Sequence, residues 1–149
     1  MHIDVEVNPF TGKPFFNEVV FYHPKSKSLL TTDYFWNYPG VGKPNAEYAS
    51  LPGADQDFGA WELAPDIGEI PLGSYVWGKI GMDRLFKPFY LGLMIKPDRK
   101  DLFLLIASYI AGLNEDGWDV QTIIPAHGDI LRGKTFCREV LKSHFKLAS

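Results

Sequence analysis

Twelve residues, Leu102 to Leu113, read as a helix with almost no polar face, interrupted only by Ser108 and Gly112. Asp98 stands where an N-cap belongs, Asp101 falls in the first turn where the helix dipole favours a carboxylate, and Asn114-Glu115-Asp116-Gly117 ends the run. A helix that is apolar all round is sandwiched between other layers or covered by a partner. It is also well short of the roughly 20 residues that cross a bilayer. The expectation is a layered globular domain without a transmembrane segment, with peripheral membrane association left open.

The remaining elements are short. Ile3, Val5 and Val7 alternate with Asp4 and Glu6, a period-2 strand with one wet face, which the prolines and glycine of Asn8 to Pro14 interrupt. Phe15 to Tyr22 reads as a second strand, His23 to Lys27 as a hairpin connection, and Ser28 to Thr32 as the returning strand, ending at Asp33. Val120 to Ile124 is a short buried-strand candidate followed by the loop Pro125-Ala126-His127-Gly128-Asp129. A last helix over Thr135 to Lys146, N-capped by Thr135, puts Phe136, Val140, Leu141 and His144 on one face. Between Tyr34 and Gly81, five prolines and eight glycines prevent long regular elements, so the segment reads as a functional or partner-binding insertion. Its rings, among them Trp36, Tyr48 and Trp77, either plug loops onto the core or form an aromatic interaction surface.

A chain of 149 residues fits one domain over 1–149 and leaves little room for two. Its net charge of −3 offers no concentrated basic face, which argues against nucleic acid; Lys96 to Lys100, broken by Pro97 and Asp98, reads as a solvated loop. A single cysteine, Cys137, excludes an internal disulfide and a cysteine-based zinc cluster. Met1 to Glu6 has neither a basic n-region nor an apolar h-region, so no secretory signal is read there. An intracellular, reducing compartment, cytoplasm or plastid, is the expectation.

Two carboxylates and one histidine stand just past the carboxyl ends of apolar strands, where layered α/β proteins carry functional groups: Asp33 after Ser28 to Thr32, and His127 and Asp129 after Val120 to Ile124. If both strands share one sheet, these residues converge although Asp33 and His127 are 94 positions apart. Aspartate oxygen with histidine nitrogen suits zinc, iron or manganese, but a catalytic zinc ordinarily takes three protein ligands. Other readings stay open: Asp33 as a cap of the segment from Tyr34, His127 as part of a tight turn, and an acid–base use of Asp33, His127 and Asp129.

The run Phe16 to Asp33 resembles the strand-hairpin-strand of the metallo-β-lactamase fold that ends in an aspartate, and Ile123-Ile124-Pro125-Ala126-His127-Gly128-Asp129 resembles the late strand and Pro-x-His-Gly loop of the same fold. The nearest likeness is to an uncharacterised metallo-β-lactamase-related family of unknown function common in photosynthetic organisms. The resemblance implies metal-ligand roles for Asp33 and His127, possessed in that superfamily by an aspartate bridging two metals and a histidine binding the second. The chain departs from the pattern in having no His-x-His-x-Asp-His motif. Its other histidines, His2, His23 and His144, are scattered, with His23 expected in the hairpin and His144 on a helix face.

What the resemblance implies is therefore a partial αββα sandwich, the C-terminal half alone, with a mixed sheet and flanking helices. Half a sandwich exposes one face of its sheet, which a homodimer, a partner subunit or the aromatic loops would cover. The functional expectation is a degenerate, non-catalytic interaction or structural subunit with a protein partner or homo-oligomer. No cofactor is expected for the isolated chain. The alternative is a metal-dependent hydrolase in which zinc or iron binds once a partner chain or a missing N-terminal half completes the ligand set.

Overall fold

The computed structural model describes residues 1–14, 18–37, 47–54, 73 and 76–147, the side chains of residues 79 and 83 excepted. Phe15, Phe16 and Asn17 of the expected second strand, and Tyr38, Phe58, Trp61 and Tyr75 of the insertion, lie outside the described residues.

Among the described residues six short strands are formed: β1 (His2–Ile3), β2 (Glu18–Val19), β3 (Phe21–His23), β4 (Ser28–Thr31), β5 (Thr122–Pro125) and β6 (Leu131–Arg132). β1 and β2 pair antiparallel as a two-stranded ribbon. The other four make a mixed sheet in the order β3-β4-β5-β6, whose central pair, β4 with β5, is parallel and whose outer pairs are antiparallel. The turn Pro24 to Lys27 that closes the β3–β4 hairpin places Lys27 at positive φ. The long strand expected over Phe15 to Tyr22 is thus divided at Val20 between two sheets, which lets Val20 enter the core, fully buried.

The register sorts the sheet residues into two rows. Tyr22, Leu29, Ile123 and Leu131 are successive cross-strand partners, and Leu29, Ile123 and Leu131 are fully buried. Phe21, Leu30 and Ile124 form the neighbouring row, pointing the opposite way as alternation requires. The helices α1 (Lys100–Ile110) and α2 (Lys134–Phe145) contribute Phe103, Ala107 and Ile110, and Phe136, Cys137, Val140, Leu141 and Phe145, to the same core as the Leu29 row. Tyr34 joins them, its ring 4.6 Å from Phe145 and 6.2 Å from Phe103. The architecture is mixed α and β, with a four-stranded mixed sheet, in agreement with the coarse expectation.

Both helix starts differ from expectation. Pro97, with its fixed φ, opens a 3-10 turn over Pro97–Arg99, so Asp98 lies inside that turn and Arg99, without a side-chain cap, precedes α1. Only Gly133 separates β6 from α2, and it turns the chain at φ 101°; Thr135 therefore falls inside the first turn instead of capping it. At the far end of α1, Gly112 takes φ 66°, and a Cβ there would stand 2.4 Å from the Trp118 carbonyl oxygen. This close approach folds the loop after α1 back on the helix.

A helix that the sequence reading did not anticipate precedes α1. It is widely wound, with i→i+5 hydrogen bonding, over Trp77–Phe86 and again over Tyr90–Met94, and has a single α-helical turn, Lys87–Phe89, between them. This wide helix is fastened from three directions. Its Lys87 ammonium lies 3.0 Å from a Glu47 carboxylate oxygen, and Tyr90 donates a short hydrogen bond to Glu6. Val7 N–H donates to the Met94 carbonyl at 2.8 Å, continuing the N-terminal extended segment onto the helix end.

Candidate functional site

β4 and β5 are paired with a constant offset of 94 residues, from Ser28↔Thr122 to Thr31↔Pro125. The same offset separates Asp33 from His127, so the parallel register, carried two residues beyond the strands, brings them face to face. His127 Nε2 lies 3.1 Å from Asp33 Oδ1, and both side chains are a little under half exposed. Ala126 N–H donates to the Thr31 carbonyl at 3.1 Å, which holds the two strand ends together immediately below the pair.

The loop after Asp33 then crosses to the His127 turn and locks it. Asn37 N–H donates to the His127 carbonyl at 3.0 Å, Asp129 N–H donates to the Asn37 carbonyl at 3.0 Å, and Asn37 Nδ2 donates to the Asp129 carbonyl at 3.1 Å. Gly128 supplies the positive φ, 105°, that this turn needs. On the other side, Thr31 Oγ1 donates to the Phe35 carbonyl at 3.2 Å. Asp33 and His127 are thus presented by backbone that is hydrogen-bonded on both flanks. The expected tight turn at His127 is present, and its main-chain bonds leave the imidazole directed at Asp33.

Asp33 also borders a set of buried carboxylates that the sequence did not single out. Thr32 Oγ1 donates a short hydrogen bond to Glu18 Oε2, and the Asp33 backbone N–H also serves the Glu18 carboxylate. Burial raises the Glu18 pKa above the ordinary range, and the Asp33 charge pushes it in the same direction. Glu6 lies deeper, and burial lifts its pKa to about 7; the Tyr90 hydrogen bond opposes that rise, and the charges of Glu18, Asp33 and Asp4 add to it. Asp129 is raised as well, by burial alone. Glu6 lies beyond β1, where it bridges to Ile95, and Glu18 opens β2, so the tertiary fold and not their spacing brings them near Asp33.

The donor set determines what this arrangement can hold. Asp33 Oδ1 and His127 Nε2 lie 3.1 Å apart, and among the described residues no group of three or more His, Cys, Asp or Glu side chains is disposed to hold a metal ion. Two ligands fall short of the three that a catalytic zinc ordinarily takes, so the described residues do not by themselves make a metal centre. As it stands, the pair is a half-exposed contact between an imidazole and a carboxylate.

The other sequence candidates lie elsewhere. His23 is exposed in the hairpin, its Nδ1 2.7 Å from Ser26 Oγ, as expected. His2 is in β1, and Cys137 is in the core, where burial pushes its thiol up to about 12 and leaves it unreactive. His144 is fully enclosed by the rings of Phe35, Trp36 and Phe145, with the Tyr48 hydroxyl 2.9 Å from its Nδ1. Of the insertion's aromatics, Trp36 and Tyr48 plug the core, and Trp77 is exposed.

Set against known proteins, the chain matches no family model, no curated protein and no solved structure.

Proposed function

We propose that this chain is a non-catalytic interaction subunit, a partial metallo-β-lactamase-like sandwich whose open sheet face is covered by another protein surface. The observation that carries the reading is the row Phe21, Leu30 and Ile124. Phe21 is 61% and Leu30 41% exposed although each is the other's direct cross-strand partner, and Ile124 continues the row at half burial. A sheet that buries Leu29, Ile123 and Leu131 on one side and shows an apolar row on the other has the form of one layer of a two-layer packing. Contiguous exposed apolar side chains of this kind mark association surfaces.

The test is solution mass by sedimentation velocity across a concentration series. Self-association, or a stoichiometric partner retained from the native source, is expected for the wild-type chain. The double variant Phe21→Lys with Leu30→Lys should lose it while keeping its circular dichroism. A folded wild-type chain that stays monomeric and partner-free throughout would remove the proposal.

A second reading is favoured by one observation, the shared offset of 94 residues that sets Asp33 against His127. On this reading the pair is part of a metal site completed by ligands from another polypeptide, in a metal-dependent hydrolase. Metal content of the assembled protein by mass spectrometry separates the two readings. Stoichiometric zinc or iron, lost in Asp33→Ala and in His127→Ala, would replace the first reading with the second.

A further inference from the structure

The helical side of the molecule carries a second apolar surface that the sheet-face reading does not use. On the wide helix, Trp77, Leu85 and Leu93 are exposed at 59%, 65% and 59%. Val76 and Ile80 add to the same exposed apolar surface at 43% and 47%, while Phe89, between Leu85 and Leu93, packs against the core. Gly81 makes room for the Trp77 indole: a Cβ there would lie 2.9 Å from the ring.

α1 adds two exposed side chains. Phe103, Ala107 and Ile110 face the core, and Leu102 and Leu105 are exposed. Leu104 and Ile106 also pack against the core, and the Tyr109 ring meets Trp118 at 5.8 Å.

Cations neighbour these side chains along the chain. Arg99 is exposed in the turn joining the helices and Lys100 at the start of α1, Lys96 is half-buried just before the turn, and Arg84 is exposed on the wide helix, while Asp98 and Asp101 are also exposed. Residues 76–105 hold six Lys and Arg against three Asp, a net charge of +3 within a chain whose total is −3. With Lys87 paired to Glu47 outside the segment, a net charge of +2 is left to this stretch. Meanwhile Lys87 and Tyr90, the polar groups on the inner side of the wide helix, are engaged by Glu47 and Glu6.

We infer that this side of the molecule, the wide helix with α1, docks on an anionic lipid surface, with Trp77, Leu85, Leu93, Leu102 and Leu105 entering the interface and Arg84, Lys96, Arg99 and Lys100 meeting the headgroups. Among the described residues no helix is long and apolar enough to cross a membrane, so the association is one of lying on the bilayer. Indole rings favour the headgroup level, and basic residues beside an apolar stripe select anionic over neutral lipid. The surface is distinct from the Phe21–Leu30 row, so the sheet-face proposal and this one fail separately.

Flotation of the full chain with vesicles tests it. Binding is expected to vesicles of mixed phosphatidylcholine and phosphatidylserine and to be much weaker to phosphatidylcholine alone, with attenuation as salt is raised. Leu85→Glu with Leu93→Glu should abolish flotation. Replacing Lys96, Arg99 and Lys100 by Gln should lower the partition by about a hundredfold, each cation contributing about fivefold. Phe21→Gln with Leu30→Gln, which leaves the net charge as it is, should leave flotation unchanged. No flotation by the folded wild-type chain, or equal flotation with neutral vesicles, would overturn the inference. So would a concentration-dependent dimer that dissociates in Leu85→Glu with Leu93→Glu, because a protein surface would then be the occupant.

Discussion

Glu6 and His144 are both buried ionisable side chains joined to a tyrosine hydroxyl, Glu6 to Tyr90 and His144 to Tyr48, and they answer pH in opposite directions. Burial works on both in the same physical sense, by disfavouring the charged form. It raises the carboxyl to about 7 and holds the imidazole well below its ordinary range, with the Lys87 charge lowering the imidazole further. Their surroundings differ. Glu6 faces the charges of Glu18, Asp33 and Asp4 and keeps one oxygen, Oε2, without a hydrogen-bond partner, whereas His144 sits among aromatic rings. Trp36 touches both regions, its ring 4.8 Å from His144 and 6.5 Å from Tyr90. One indole therefore helps keep water from two sites whose linkage to folding has opposite sign.

The largest expected effect comes from breaking that shared wall. Trp36→Ala should cost about 3–5 kcal/mol in urea unfolding and reduce the pH dependence contributed by both groups together, because water then reaches each. If only one dependence shrank, the two regions would not share Trp36 as a barrier.

Next comes Glu6 alone. Its folded pKa is raised from 4.5 to about 7, so its contribution is fully present below pH 4.5 and is lost as pH rises through about 7. The difference between those limits is about 3 kcal/mol. It should be read as the change in stability between pH 4.5 and 7 that wild type shows and Glu6→Gln lacks. His144 has the reverse sign: its folded pKa is lowered from 6.5, so its contribution is present above pH 6.5 and is lost as pH falls below it. Between pH 4.5 and 6.5 the two slopes oppose each other, and wild type should be flatter in that window than Glu6→Gln, which should lose stability on acidification.

The smallest effect sharpens the contrast between the two tyrosines. Tyr48→Phe removes one neutral hydrogen bond and should cost about 1 kcal/mol. Tyr90→Phe should cost more, because it leaves Glu6 with neither oxygen served by Tyr90 in a buried setting. Equal costs would mean that the unpartnered Glu6 oxygen finds water.

The strands β3, β4 and β5 and the helices α1 and α2 were legible because each is a short periodic run bounded by turn residues, and the convergence of Asp33 and His127 was legible because both follow apolar strands. The wide helix was not. Gly78, Gly81, Pro88 and Gly92 within or beside it signal breaks at any ordinary winding, and it is held by contacts remote in sequence, Glu47 with Lys87 and Glu6 with Tyr90. The caps failed for a local reason: Asp98 and Thr135 have the right chemistry, but Pro97 and Gly133 start their helices earlier. Glu6 and Glu18 escaped notice because strand alternation cannot say which strands will be neighbours.

The parallel pairing of β4 with β5 also sets a timetable for the growing chain. The β3–β4 hairpin closes over a four-residue turn, but its next neighbour lies 94 residues on. Closing that loop costs about 4 kcal/mol of chain entropy before the strand bonds return anything. At roughly 5–20 residues per second of synthesis, the Leu29 edge waits on the order of 5–20 s for Ile123 to leave the ribosome. Through that interval β4 has only β3 beside it, and what covers Leu29 must come from the residues already made, Tyr34, Phe35 and α1.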